Sequence, residues 1–452
     1  MVLNLLLALG LGQAGLKSEA FDRDPGWDGR NNRSAERREI KQDFGYALGR
    51  IGGLITPAAE PAYYARVVEP RTLKDPLRAS GTLVVEPGGG NTLIGFFNAG
   101  TINEWRTPSS IALRINGRGD EGFHVHLEYA TSKWRAGADA YAQGKSTRLW
   151  PAGSYAWTLA YDPKDGGSVR ATLNGEELRL RLDAGHQEDG ATFNRFGILN
   201  VLKSADGGGT LWLDDVDVNG ALERFDADPK WDALNARRSY ATANIRPRFD
   251  FGYSATRHAG GAGAGEMGGL VFRGDERFAD KMAYYGDRLR PLTLERPLKA
   301  SGRVAMTRGV TDSSVLIGFF HSTESLRISP AQASGFPENF LGAAIEGPSR
   351  EGFLFYPVYG TDRDGEGGNG SREAGCPRIY PDGASHAWSL DYADGTLTVS
   401  LDGRSVSLSI SAAHRKLGAR FDRFGLVTTH IDGNGQQVYF DDLTYTWTQD
   451  AK

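Results

Sequence analysis

The chain repeats itself. Phe21-Asp-Arg-Asp-Pro-Gly-Trp27 returns as Phe225-Asp-Ala-Asp-Pro-Lys-Trp231, and Asp43-Phe-Gly-Tyr46 as Asp250-Phe-Gly-Tyr253. Leu93-Ile-Gly-Phe-Phe97 returns as Leu316-Ile-Gly-Phe-Phe320, Arg195-Phe-Gly197 as Arg423-Phe-Gly425, and Asp214-Asp215 as Asp441-Asp442. The order never changes, while the offset drifts from 204 (Phe21 to Phe225) to 231 (Trp157 to Trp388) through loop insertions. A period this long is a whole domain, not a solenoid unit. The expected division is a copy over 21–220 and a copy over 221–448, each large enough to bury its own core.

Within each copy, short runs rich in Leu, Val, Thr, Phe and Trp alternate with Gly, Asp, Asn and Pro, which is the pattern of strands and turns. Leu173-Asn-Gly175 and Leu401-Asp-Gly403 lie between such runs and read as tight hairpins. The expected fold is all-β: two tandem antiparallel β-sandwich (jelly-roll) domains. Gly and Pro together are 79 of 452 residues, below the range of low-complexity chains. The formal net charge of −4 argues against a dedicated nucleic-acid partner, which needs a basic face. The single cysteine, Cys376, excludes an intramolecular disulfide and a Cys-based zinc site. Residues 1–20 open with an apolar run, Leu3 to Leu11, too short to span a bilayer. It reads as the core of a secretory signal lacking its basic flank, or as an N-terminal segment of the fold. The expected location is secreted, periplasmic or cell-surface, with no membrane span.

The opening Phe-Asp, the Ala-Trp strand (Trp157, Trp388), the Leu-Asn/Asp-Gly hairpin and the closing aromatic-x-Asp-Asp strand (Trp212–Asp215, Tyr439–Asp442) resemble the concanavalin A-like lectin/glucanase superfamily, including laminin-G-like domains. The resemblance covers nearly all of both copies. It implies a concave sheet face that meets poly- or oligosaccharide, in lectins, binding modules, glycoside hydrolases or polysaccharide lyases. The Glu-x-Asp-x-x-Glu strand of laminarinase-type glucanases is absent, as is the Arg-x-Glu-x-Arg with Gln-x-His pair of alginate-lyase-like jelly rolls. No catalytic residue is therefore carried over. The resemblance also implies a structural Ca²⁺ between opening and closing strands. Asp22 with Asp215, and Asp226 with Asp442, are the candidate ligands, with Asp24, Asp214, Asp228 and Asp441 beside them. No organic cofactor is implied.

With two copies in one chain, residues kept in both are read as structural: His186 and His414, Arg195 and Arg423, Trp157 and Trp388, and the Asn31/Arg33 and Asn235/Arg237 pairs. The copies diverge most in one strand, Gly122-Phe-His-Val-His-Leu-Glu-Tyr129 against Gly352-Phe-Leu-Phe-Tyr-Pro-Val-Tyr359. Strand side chains alternate faces. Phe123, Val125, Leu127 and Tyr129 are therefore expected in the core, and His124, His126 and Glu128 on the open face. Ile111 to Asn116 alternates likewise and offers Arg114 and Asn116. Imidazoles titrate near neutrality, and an arginine pairs with a sugar carboxylate or a developing oxyanion, so His124, His126, Glu128 and Arg114 are the expected catalytic group. The same strand also reads as a solvated polar face or a His-x-His metal site. Asn98, Trp105, Arg106, Asn116 and Trp134 are expected to bind substrate, and in the rival non-catalytic reading Trp105, Trp134 and Tyr129 stack on sugar rings. In copy two, Tyr356 stands where copy one has His126, and Tyr356, His258 and Glu266 are further expected substrate-binding residues. The Gly-rich run between His258 and Glu266 either reaches a ligand or is a surface loop. Asp362 to Asn369 lacks the spacing of a calcium loop. The leading expectation is a polysaccharide-cleaving enzyme. A non-catalytic lectin-like protein and a structural cell-surface protein remain open beside it.

Overall fold

The computed structural model describes residues 14–117, 122–133, 147–173, 175–275, 277–327, 335–347, 352–362, 366–367 and 375–448. Alternating apolar residues make each copy a sandwich of two antiparallel sheets, the jelly-roll architecture expected. In copy one the inner sheet runs Thr147–Leu149, Phe123–Ala130, Ser110–Gly117, Asn91–Phe97, Thr192–Asn200, Tyr63–Thr72. Its outer sheet runs Glu176–Arg181, Ser168–Leu173, Ser154–Asp162, Leu77–Val85, Gly209–Val218, Arg50–Ile55, Arg38–Ala47. Copy two repeats both orders, with Phe353–Gly360, Phe340–Glu346 and Ser314–Phe320 in its inner sheet and Leu298–Gly309 and Gly435–Thr448 in its outer one. Trp157, Phe196 and Ile94 fill one core, and Trp388, Phe424 and Ile317 the other. The Asp402-Gly403 hairpin has both residues at positive φ, 49° and 78°, as its two-residue turn requires.

Each copy is closed by the opening segment of the other. Ala14–Glu19 pairs along residues 443–448, so these residues of the expected leader are a strand of the fold. Asp28–Arg30 then pairs with residues 284–286 of copy two. Reciprocally, Asp232–Leu234 pairs with residues 63–65, and Arg237–Thr242 with residues 38–43 of copy one. Phe21 and Trp27 are buried in the core of copy two, and Phe225 in that of copy one. Matching ion pairs hold both straps. Asp28 meets Arg423 at 2.7 Å and accepts from Tyr284, while Asp232 meets Arg195 at 2.8 Å and accepts from Tyr63. Arg33 donates to the Tyr253 carbonyl, and Arg237 to that of Tyr46. The arginines kept in both copies thus fasten the exchanged straps. His186 and His414 share hydrogen bonds through Nδ1 with the hydroxyls of Tyr129 and Tyr359, at 2.7 and 2.8 Å.

The exchange alters the expected calcium pairs. Strand pairing carries Asp22 toward the Asp442 end of copy two and Asp226 toward the Asp215 end of copy one, so Asp22 does not join Asp215, nor Asp226 Asp442. The Asp-Asp doublet is a β-bulge. Asp215 and Asp442 sit at φ 50° and 49°, and the preceding carboxylate accepts the amide of each at 2.8 and 2.7 Å. Among the described residues, no three His, Cys, Asp or Glu side chains converge to hold a metal ion.

Candidate functional site

Register across the inner sheet of copy one sets the face turned away from its core in rows. Ala65, Gly197, Gly95, Ala112 and Glu128 are successive cross-strand partners. The next row is Leu199, Leu93, Arg114, His126, and beyond it Asn91, Asn116, His124, Arg148. The first row carries small or no side chains as far as Glu128, and it is buried: Ala65 and Ala112 sit in an apolar cluster with Leu93 and Phe97. Its glycines are obligatory: a Cβ at Gly95 would lie 2.1 Å from the Ile111 carbonyl oxygen, and one at Gly197 2.3 Å from that of Tyr64.

The expected adjacency therefore holds, since Arg114 lies directly across from His126. Arg114 Nη1 meets Glu128 Oε1 at 2.8 Å on the diagonal, and Nε donates to Asn91 Oδ1 at 2.9 Å. Both charged side chains keep 28% of their surface exposed. His124 and His126 stack at 6.3 Å between ring centroids. They are only 7% and 4% exposed, where an open surface was expected. Thr147–Leu149 extends the sheet beyond His124, and elsewhere on the same face Ala99 and Ile102 pack against an apolar cluster that includes Leu93, Phe97 and Ala112.

Asn91 was missed by sequence reasoning. Its counterpart is Ser314, a divergence parallel to that of Arg114 and Ala344, so comparing the copies at this position would have found it. Copy two has lost the constellation. Leu354, Tyr356, Ala344, Phe320 and Phe336 form an apolar cluster over its inner sheet. Tyr356, buried there, donates to Glu346, which also pairs with Arg273 at 2.6 Å. It is therefore no substrate-binding phenol.

Other expected binding residues serve the fold. Trp105 is buried against Phe272 of copy two, 5.9 Å between ring centroids, and cannot stack on a sugar. Arg106 donates to the Pro381 carbonyl at 3.1 Å, and its burial pushes the guanidinium down to about 9. Both anchor the copy-one loop to copy two. Tyr129 is a core residue. Asn98 ties its turn to Thr192 and Asn194, and Asn116 stays on the face, opposite His124. Trp134 lies outside the described residues. Glu266 is fully buried and accepts from Thr256 Oγ1, His258 N and Ala259 N at 2.6–2.9 Å, so it latches its own loop. His258 stacks on Tyr439 at 4.3 Å. Neither belongs to the copy-one constellation. Burial raises neighbouring Asp441 to about 6, with Asp442 and Glu266 adding repulsion.

No family model and no curated protein matches the chain. Among solved structures it is similar to domains LG4-5 of the mouse laminin alpha1 chain, at 11% identity, covering 91% of this chain and 92% of that one, TM-score 0.26. It is also similar to the Emp47p carbohydrate recognition domain, at 10% identity over 41% and 88% of the two chains, TM-score 0.26. A third is alginate lyase AlyC3, at 10% identity over 46% and 84%, TM-score 0.28. At such values the likenesses concern the fold and lend no weight to an activity.

Proposed function

We propose that copy one is a carbohydrate site that cleaves an acidic polysaccharide by β-elimination. The observation that carries this reading is the convergence of Arg114, His126, Glu128 and Asn91 on one face of the inner sheet, against an apolar cluster at the matching place in copy two. Hydrolysis calls for two carboxylates flanking the bond. Of the named residues on this face only Glu128 is a carboxylate, and it is tied to Arg114. Elimination calls for a cation on the uronate carboxylate and a base on the adjacent carbon. Arg114 takes the substrate carboxylate in exchange for Glu128, withdrawing charge from the sugar. His126 removes the C5 proton, that electron pair becomes the C4–C5 double bond, and the C4–O bond breaks. His124 returns a proton to the leaving oxygen.

The test is incubation of the full chain with uronate polymers and neutral glucans, following the absorbance of unsaturated uronate and the release of reducing ends. Absorbance with uronate polymers alone supports elimination. Reducing ends without absorbance reject it for hydrolysis. Burial of both imidazoles favours a second reading, retention without turnover, and a retained but uncleaved polymer would establish that instead.

A further inference from the structure

A cavity of about 270 Å³ opens where the two copies meet, lined by none of Arg114, His124, His126 and Glu128. Copy one contributes Trp105, the inter-copy segment Arg248, and copy two Arg308, Gln437 and Tyr439, over a floor of bare backbone at Gly268 and Gly269. Three arginines reach it: Arg33, Arg248 and Arg308. Asp250 neutralises only part of this charge, because its two oxygens are shared between Arg33 at 2.8 Å and Arg248 at 3.1 Å. Arg308 pairs with Glu104, whose side chain stays 42% exposed.

The donors left over say what fits. Arg33, Arg248 and Arg308 bring three guanidinium groups against the Asp250 and Glu104 carboxylates, which leaves positive charge and N–H donors over. Tyr439 accepts from Gln437 Nε2 at 2.7 Å, which leaves its own hydroxyl proton to donate. Surplus donors and surplus positive charge call for an oxyanion. The volume lies just under the range typical of drug-sized ligands and exceeds what a bare inorganic anion fills. Asn244 and Ser254 add groups that suit hydroxyls. We propose that this inter-copy cavity binds one small hydroxylated carboxylate, of the size and chemistry of a single uronic acid. The inference goes beyond the cleavage reading and stands whether or not copy one turns over substrate.

Calorimetric titration of the full chain with glucuronate, galacturonate, glucose, acetate and inorganic phosphate tests it. Saturable one-site binding of a uronate, with glucose, acetate and phosphate weaker, is expected. Arg308→Ala should weaken that binding at least about tenfold, the loss of one charge-assisted hydrogen bond. Gln437→Ala, a gentler change, should weaken it less. His126→Ala should leave it intact, which separates this site from the copy-one face. Absence of uronate binding, equal binding of phosphate, insensitivity to Arg308→Ala in a variant of unchanged melting temperature, or loss in His126→Ala would each overturn the assignment.

Discussion

Arg114 spans two strands because a sheet diagonal matches its length, and this places Glu128, Asn91 and His126 around one guanidinium. Replacing His126 by Ala should lower turnover about 10²–10⁴-fold, the usual contribution of a positioned acid or base. Steady-state rates alongside a melting curve check this, and near-wild-type turnover would remove His126 from the mechanism. The His124, His126 and Glu128 part of the constellation was legible from alternation, which forces these three to one face whatever its use. Its burial was not, because alternation assigns a side chain to a face and says nothing of what packs over that face. Trp105 misled for a related reason. A lone tryptophan in a polar loop looks the same in sequence whether it meets a sugar or a neighbouring core. Trp105→Ala should cost about 3–5 kcal/mol, as for other buried aromatics. Since its ring packs on Phe272, the loss should appear in the unfolding of copy two, measured by denaturant titration with a probe in that half.

The straps show how homologous elements can be exchanged without any local sign. Both carry Phe-Asp-x-Asp-Pro-x-Trp, and both grooves offer an arginine and a tyrosine to the same aspartate, so either strap suits either groove. The sandwich itself was legible, since period-two alternation and Asp-Gly turns fix strands and hairpins, but strap pairing is degenerate at this level. The anchors give the molecule an acid limit. Burial pushes Asp28 and Asp232 up, yet the hydrogen bonds from Arg423 and Tyr284, and from Arg195 and Tyr63, outweigh it and hold both carboxyls below the usual range. A folded-state value below the unfolded one means stabilisation that is full above about pH 4 and is lost as the pH falls through the folded value. Melting temperature should therefore drop on acidification below about pH 4. Asp28→Asn with Asp232→Asn should lower the melting temperature at neutral pH and flatten that drop. An unaltered acid limb in the double variant would reject the anchoring role.

The two copies are a single closed arrangement rather than beads on a string. Besides the straps, Trp105 enters the second core, Arg246 pairs with Asp432 at 2.8 Å, and Ser204 bonds Asn434 at 3.0 Å. A fragment cut by the sequence repeat, 21–220, lacks the Phe225 plug and the Arg237–Thr242 strand of its own core. A fragment over 38–242 keeps both. The second should be soluble and give dispersed amide resonances, and the first should not; the reverse outcome would show that the straps are dispensable. The pairing of Ala14 with Thr448 has a further consequence. In copy one the matching strands are joined by Asn219-Gly220, both at positive φ, 53° and 89°. The seam of copy two is the same hairpin left open. Splicing Thr448 to Ala14 through a short turn, and opening the chain instead between Asn219 and Gly220, yields a circular permutant with every strand pair intact, in which the order of the two copies along the gene no longer matters.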